Sequence, residues 1–157
     1  MIDAASKDVE APGAQGSVLI LEDDSSIREL FRTLCQAMNF AEVATAADGS
    51  RGLELIQERA FDLYVADLNM PAVNGATFIR ELRRTQPEAV VIVNTGDDNV
   101  DTIVEVMKLG VFDYLIKPVE TNQFRGTIQR ARDYQRLRSE HRSSLSGSEQ
   151  KLRGQLE

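Results

Sequence analysis

Phe61-Asp62-Leu63-Tyr64-Val65-Ala66-Asp67-Leu68-Asn69-Met70-Pro71 reads as a short strand that stops on a carboxylate. Leu63 to Ala66 form an apolar run bounded by Asp62 and Asp67, and Pro71 follows too closely for the ladder to continue. Three other runs end in the same manner. Val18-Leu19-Ile20-Leu21 leads into Glu22-Asp23-Asp24, Val90-Val91-Ile92-Val93-Asn94 into Thr95, and Asp113-Tyr114-Leu115-Ile116 into Lys117-Pro118. If these strands are parallel neighbours, one edge of one sheet collects several carboxylates, a hydroxyl and an amine, a set suited to a divalent cation and a phosphoryl group.

Beyond these runs the chain alternates strand-like with amphipathic stretches five times. Strands are expected near 17–22, 42–46, 62–67, 89–94 and 113–116, and helices near 25–38, 49–59, 74–85, 99–109 and 120–138. The first helix shows the pattern: Ile27, Leu30, Phe31, Leu34 and Met38 recur every three or four residues, with Ser25 or Ser26 as its expected cap. The strands are apolar without alternation, as strands covered on both faces must be. Repeated βα units joined right-handedly give a doubly wound α/β parallel sheet. Gly49, Gly75 and Gly110 are read as turn and packing glycines, and the chain has no glycine-rich phosphate loop.

The chain has 157 residues, 42% of them hydrophobic, enough for one sizeable core and a tail. Residues 1–16 are read as a flexible leader, 17–138 as the folded domain, and 139–157 as a linker or the start of a coiled coil towards a further effector domain. No apolar run approaches the roughly 20 residues of a membrane span, and the polar, acidic start is unlike a secretory signal; the expected compartment is the cytoplasm, with no membrane partner. Cys35, the single cysteine, is read as a small buried hydrophobe, and His141 as a solvated tail residue. Residues 1–120 hold 10 Lys/Arg against 21 Asp/Glu, a balance of −11, whereas 121–157 hold 8 against 4. So acidic a body argues against direct nucleic-acid binding by this segment.

Glu22-Asp23, Asp67 with Met70-Pro71 and Gly75, then Thr95 and Lys117-Pro118, occur in an order that resembles the receiver domain of bacterial two-component response regulators. The resemblance spans about residues 17–138. It implies a flavodoxin-like (βα)5 fold with strand order 2-1-3-4-5, and a phosphorelay function in which Asp67 accepts a phosphoryl group from a sensor histidine kinase or phosphotransfer protein. The domain then switches conformation to regulate a partner or an attached output domain.

A carboxylate attacking phosphorus is a known form of covalent catalysis, but unit charges 4 Å apart repel by about 4 kcal/mol at an effective dielectric near 20. A hard dication cancels this, and Mg2+ takes oxygen ligands. Asp23 and Asp67 each offer a carboxylate oxygen and Asn69 its backbone carbonyl, with Glu22 acting through a metal-bound water. Lys117 offers a point charge to a phosphoryl oxygen, and Lys117-Pro118 resembles the family's cis peptide. Thr95 and Tyr114 match the family's switch pair, and Asn69 and Asp97 the positions flanking the hydrolytic water. Taken singly, Asp67 reads as a turn cap, Thr95 as a helix cap and Tyr114 as a half-buried strand aromatic. Asp24 is expected to support the start of the first helix.

Two other functions compete. A haloacid-dehalogenase-like phosphatase also uses a strand-end Asp with Mg2+, but wants a second Asp where Asn69 stands. A pseudo-receiver that only binds proteins would not need the full set of acids, threonine and lysine. A homodimer is expected through the face formed by 99–109, 113–116 and 120–138.

Overall fold

The computed structural model describes residues 15–156. Five strands alternate with five helices: β1 (Ser17–Leu21), α1 (Ser25–Ala37), β2 (Glu42–Ala46), α2 (Gly49–Glu58), β3 (Leu63–Asp67), α3 (Gly75–Thr85), β4 (Val90–Thr95), α4 (Val100–Lys108), β5 (Asp113–Ile116) and α5 (Thr121–Leu156). All strand pairs are parallel and lie in the order β2-β1-β3-β4-β5. The doubly wound α/β sheet and the 2-1-3-4-5 order are therefore as expected, and each strand falls within two residues of its predicted bounds.

Each strand alternates between two cores. Leu19, Leu21, Tyr64, Ala66, Val91 and Val93 pack with Ile56 of α2, Phe78, Ile79 and Leu82 of α3, and Val106 of α4. Val18, Ile20, Leu63, Val65, Val90 and Ile92 pack on the other face with Phe31, Leu34 and Cys35 of α1 and with Phe124, Ile128 and Ala131 of α5. Phe31 and Phe124 stack with centroids 4.3 Å apart, joining the two helices of that face. Cys35 is buried, and burial pushes its thiol up to about 12, which fits a packing role. With the strand side chains so used, Glu22, Asp67, Thr95 and Lys117 stand at the carboxyl ends of β1, β3, β4 and β5.

Three local expectations need correction. The cap of α1 is Asp24, not Ser25 or Ser26: its Oδ1 accepts from the Ser26 and Ile27 N–H groups at 2.8 and 3.1 Å. A carboxylate outcompetes a hydroxyl here because it accepts two bonds and meets the positive end of the helix dipole. The last helix does not end near 138 but continues to Leu156. Serines at 143, 144, 146 and 148 each weaken a helix only slightly, and no proline interrupts the stretch. Of the leader, residues 1–14 lie outside the described residues, but the Gln15 N–H donates to the Asn39 carbonyl and the Gly16 carbonyl accepts from Ala41 and Glu42.

Candidate phosphoryl-acceptor site

Asp67 is the last residue of β3 and is 1% exposed. The Asn69 N–H donates to its Oδ1 at 3.0 Å, and Lys117 Nζ lies 2.8 Å from its Oδ2. The turn that places Asn69 is closed by Gly75, whose N–H donates to the Leu68 carbonyl at 3.1 Å. A Cβ at Gly75 would stand 2.4 Å from the Asp67 carbonyl oxygen, so only glycine allows α3 to start this close to the acid.

Glu22 follows β1 and is fully buried, whereas Asp23 beside it is exposed. Lys117 Nζ reaches Glu22 Oε1 at 3.1 Å and Oε2 at 3.3 Å, so one ammonium bridges two buried carboxylates. The Asp24 N–H donates to Oε2 at 3.2 Å and Asn94 Nδ2 to Oε1 at 3.1 Å. Glu22, Asp23 and Asp67 each offer an oxygen within 4.8 Å of the others. Arg28 donates to the Glu22 and Asp23 carbonyls at 2.8 and 3.3 Å, which holds the acid turn against α1.

Charge in this pocket is undercompensated. Burial pushes the Glu22 carboxyl up to about 7, the Asp67 charge adds to this, and the Asp24 N–H and Lys117 oppose it. Burial pulls the Lys117 ammonium down, but its bonds to Asp67 and Glu22 outweigh that and leave it above its ordinary range. Lys117 is joined to Pro118 by a cis peptide, and its N–H donates to the Thr95 carbonyl at 2.8 Å.

Thr95 ends β4, is 1% exposed, and its hydroxyl accepts from the Asp97 N–H at 3.0 Å. Tyr114 is half-buried against the α4 face of the core, and it lines a small apolar cavity with Thr95, Leu68, Thr102 and Val106. The structure thus gathers Glu22, Asp23, Asp67, Asn69 and Lys117 at one point, with Thr95 in the adjoining strand and Tyr114 behind it. Sequence reasoning assigned no role to Asn94 or Arg28. Asn94 carried one signal, a polar residue closing an apolar run, and β3–β4 register sets it directly beside Asp67.

A family model for the response regulator receiver domain matches residues 18–129. The chain belongs to that family. As a receiver domain it is 33% identical over 125 residues to the transcriptional regulatory protein ZraR of Klebsiella oxytoca, covering 80% of this chain and 28% of the relative. It thus spans only about a quarter of the length of the ZraR proteins it matches. A response regulator receiver domain from Clostridium thermocellum shares its fold with a TM-score of 0.71 at 30% identity, covering 77% of this chain and 97% of the other. The chemotaxis response regulator CheY4 of Vibrio cholerae does so with a TM-score of 0.69 at 28% identity, over 74% and 98% of the two chains. Receiver-domain membership implies phosphorelay signalling, and Glu22, Asp23 and Asp67 form an acidic cluster. No helix among the described residues is long and apolar enough to cross a membrane.

Proposed function

We propose that Asp67 is the phosphoacceptor of this receiver domain, charged by a sensor histidine kinase or phosphotransfer protein in a Mg2+-dependent reaction in the cytoplasm. The observation that carries the reading is the placement of one ammonium, Lys117, across two buried carboxylates at the end of the central strand. An Asp67 oxygen attacks phosphorus in line; an O–P bond forms and the P–N bond to the donor imidazole breaks, its electron pair leaving with the nitrogen. Lys117, already 2.8 Å from Asp67, is within reach of an incoming phosphoryl oxygen. Thr95 supplies the remaining hydroxyl donor, because its oxygen accepts from the Asp97 N–H and leaves its own O–H free to donate.

The donor set fits a hard dication: carboxylates dominate it, sulfur and imidazole are missing from it, and beside it Asn94 Oδ1 is a buried acceptor without a hydrogen-bond partner among the described residues. Asp23, Asp67 and the Asn69 carbonyl would hold Mg2+, with Glu22 acting through water. When bound, the cation would cancel the repulsion between carboxylate and phosphoryl oxygens.

Movement of Thr95 and Lys117 towards the phosphoryl group would pull on the 95–110 and 113–120 segments, with Tyr114 between them as the switch. The output surface is then the face of α4, β5 and α5, where Val100, Val104 and Met107 are exposed at 71%, 46% and 45% on one side of α4. A second copy or an output partner would dock there.

Incubation with Mg2+ and acetyl phosphate tests the reading. A stoichiometric, acid-stable but base-labile acyl phosphate, lost in the Asp67→Asn variant, is expected. Multiple turnover of acetyl phosphate would instead favour a phosphatase, and no adduct would favour a binding-only receiver.

A further inference from the structure

Asn94 sits inside β4, 1% exposed, where Val90, Val91, Ile92 and Val93 before it are all apolar. Its Nδ2 donates to Glu22 Oε1 at 3.1 Å across 72 positions of sequence. Its Oδ1 is the buried side-chain atom without a hydrogen-bond partner among the described residues. An amide so placed costs the fold roughly 1–3 kcal/mol in desolvation where an aliphatic side chain would fit a strand. Such a cost is commonly carried at functional sites.

The arrangement of donors around Glu22 shows what the amide does. Oε2 receives the Asp24 N–H and Oε1 receives Asn94 Nδ2, while Lys117 touches both oxygens and Asp67 as well. Two neutral donors therefore pin the two oxygens from opposite chain segments. Without Asn94, Oε1 keeps Lys117 as its remaining donor among the described residues, the carboxylate is free to turn, and the ammonium is drawn away from Asp67.

We infer that Asn94 is a positioning residue of the acidic site. Its N–H fixes the Glu22 carboxylate, divides Lys117 between Glu22 and Asp67, and presets the acids for a hydrated divalent cation, to whose O–H groups Oδ1 offers an acceptor. The cation's identity rests on the phosphoacceptor reading; the orientation of Glu22 does not.

Calorimetric titration of the full chain with Mg2+ alone tests this through a double-mutant cycle. Asn94→Leu is expected to weaken Mg2+ binding about tenfold, as loss of a partner behind a metal ligand commonly does. In a Glu22→Gln background the same substitution should change affinity by less than about twofold. Equal losses in both backgrounds, or none in the first, would overturn the inference. Asn94→Val, well suited to a strand, takes the place of Leu if that variant does not fold. In the metal-free protein, the Asn94 side-chain amide resonances should shift on Glu22→Gln and stay put on Asp23→Ala. If they ignore Glu22→Gln, the positioning contact is absent whatever Mg2+ does. A wild type that binds no Mg2+ overturns the presetting of the metal site and leaves the amide resonances to decide the orientation. Failure of the phosphoacceptor reading shows separately, as a wild type that takes no phosphoryl group from acetyl phosphate while the cycle on Mg2+ affinity keeps its own outcome.

Discussion

At the carboxyl edge of the sheet, two buried carboxylates share one ammonium; at the amino edge, guanidinium groups are held mainly by neutral backbone carbonyls. Arg83 donates to the carbonyls of Leu109, Pro87, Ala89 and Gly110, and thereby ties α3 to the entries of β4 and β5. Arg132 donates to the Met38 and Gln15 carbonyls, and Arg138 to that of Glu88, which Arg142 also pairs through its carboxylate. Carbonyl dipoles satisfy a guanidinium without adding a full charge, and their bonds join segments that would otherwise fray. Glu22 and Asp67 are instead buried side by side with a single shared partner. One edge is built for stability, and the other holds a charge imbalance that a ligand can relieve.

Four experiments put pressure on that contrast. The largest effect is expected from Asp67→Asn. Removing the acceptor oxygen's charge should lower labelling by acetyl phosphate at least about a thousandfold, while the metal-free protein melts at a higher temperature because Lys117 then serves Glu22 alone. A lower midpoint in differential scanning calorimetry would mean that the edge is not strained by its charges.

At the opposite edge, Arg83→Met should cost about 3 kcal/mol in urea unfolding, since four carbonyls lose a charged donor at once. Labelling of the folded fraction should be unchanged. A drop in labelling of the folded protein would show that the two edges are coupled.

The pH dependence of the metal-free protein gives the sign of the Glu22 imbalance. Its carboxyl rises from an ordinary 4.5 when unfolded to about 7 when folded, so the folded state holds more protons between these values. Its stabilising contribution is complete below about pH 4.5 and is lost as pH rises through about 7, by up to about 3 kcal/mol. Glu22→Gln should flatten urea midpoints over that window. A midpoint that rises between pH 5 and 7 in the wild type, and is unaffected by the substitution, would break the assignment.

The smallest effect concerns neither edge. Gly126 lies within α5, and a Cβ there meets only Arg130 Nη1, at 3.6 Å. Gly126→Ala should stabilise by about 1 kcal/mol without altering labelling or Mg2+ binding. Destabilisation would show that the helix needs the glycine for an approach that the isolated chain does not make.

Much of this was legible in the residues. Apolar runs of β-branched and aliphatic residues alternating with helical periods leave few options other than a parallel sheet, because such strands must be covered on both faces. Asp67, Thr95 and Lys117 were visible because each closes a strand, and strand ends of a parallel sheet fall on one edge. The strand order came only with the recognised order of motifs, since local periodicity is blind to which strands become neighbours. The cap of α1 and the length of α5 were misjudged where propensities differ by a few tenths of a kcal/mol and tertiary ties decide.

By itself, then, the sequence determined the element types, their succession and the chemical groups carried to the carboxyl edge, because these depend on short-range periodicity and on where a strand stops. The tertiary structure alone decided that Glu22 is buried while Asp23 is exposed, that Lys117 bridges Glu22 and Asp67, and that Asn94 reaches Glu22 across 72 positions. Burial and partnership are properties of packed neighbours. No window of sequence contains both members of those pairs.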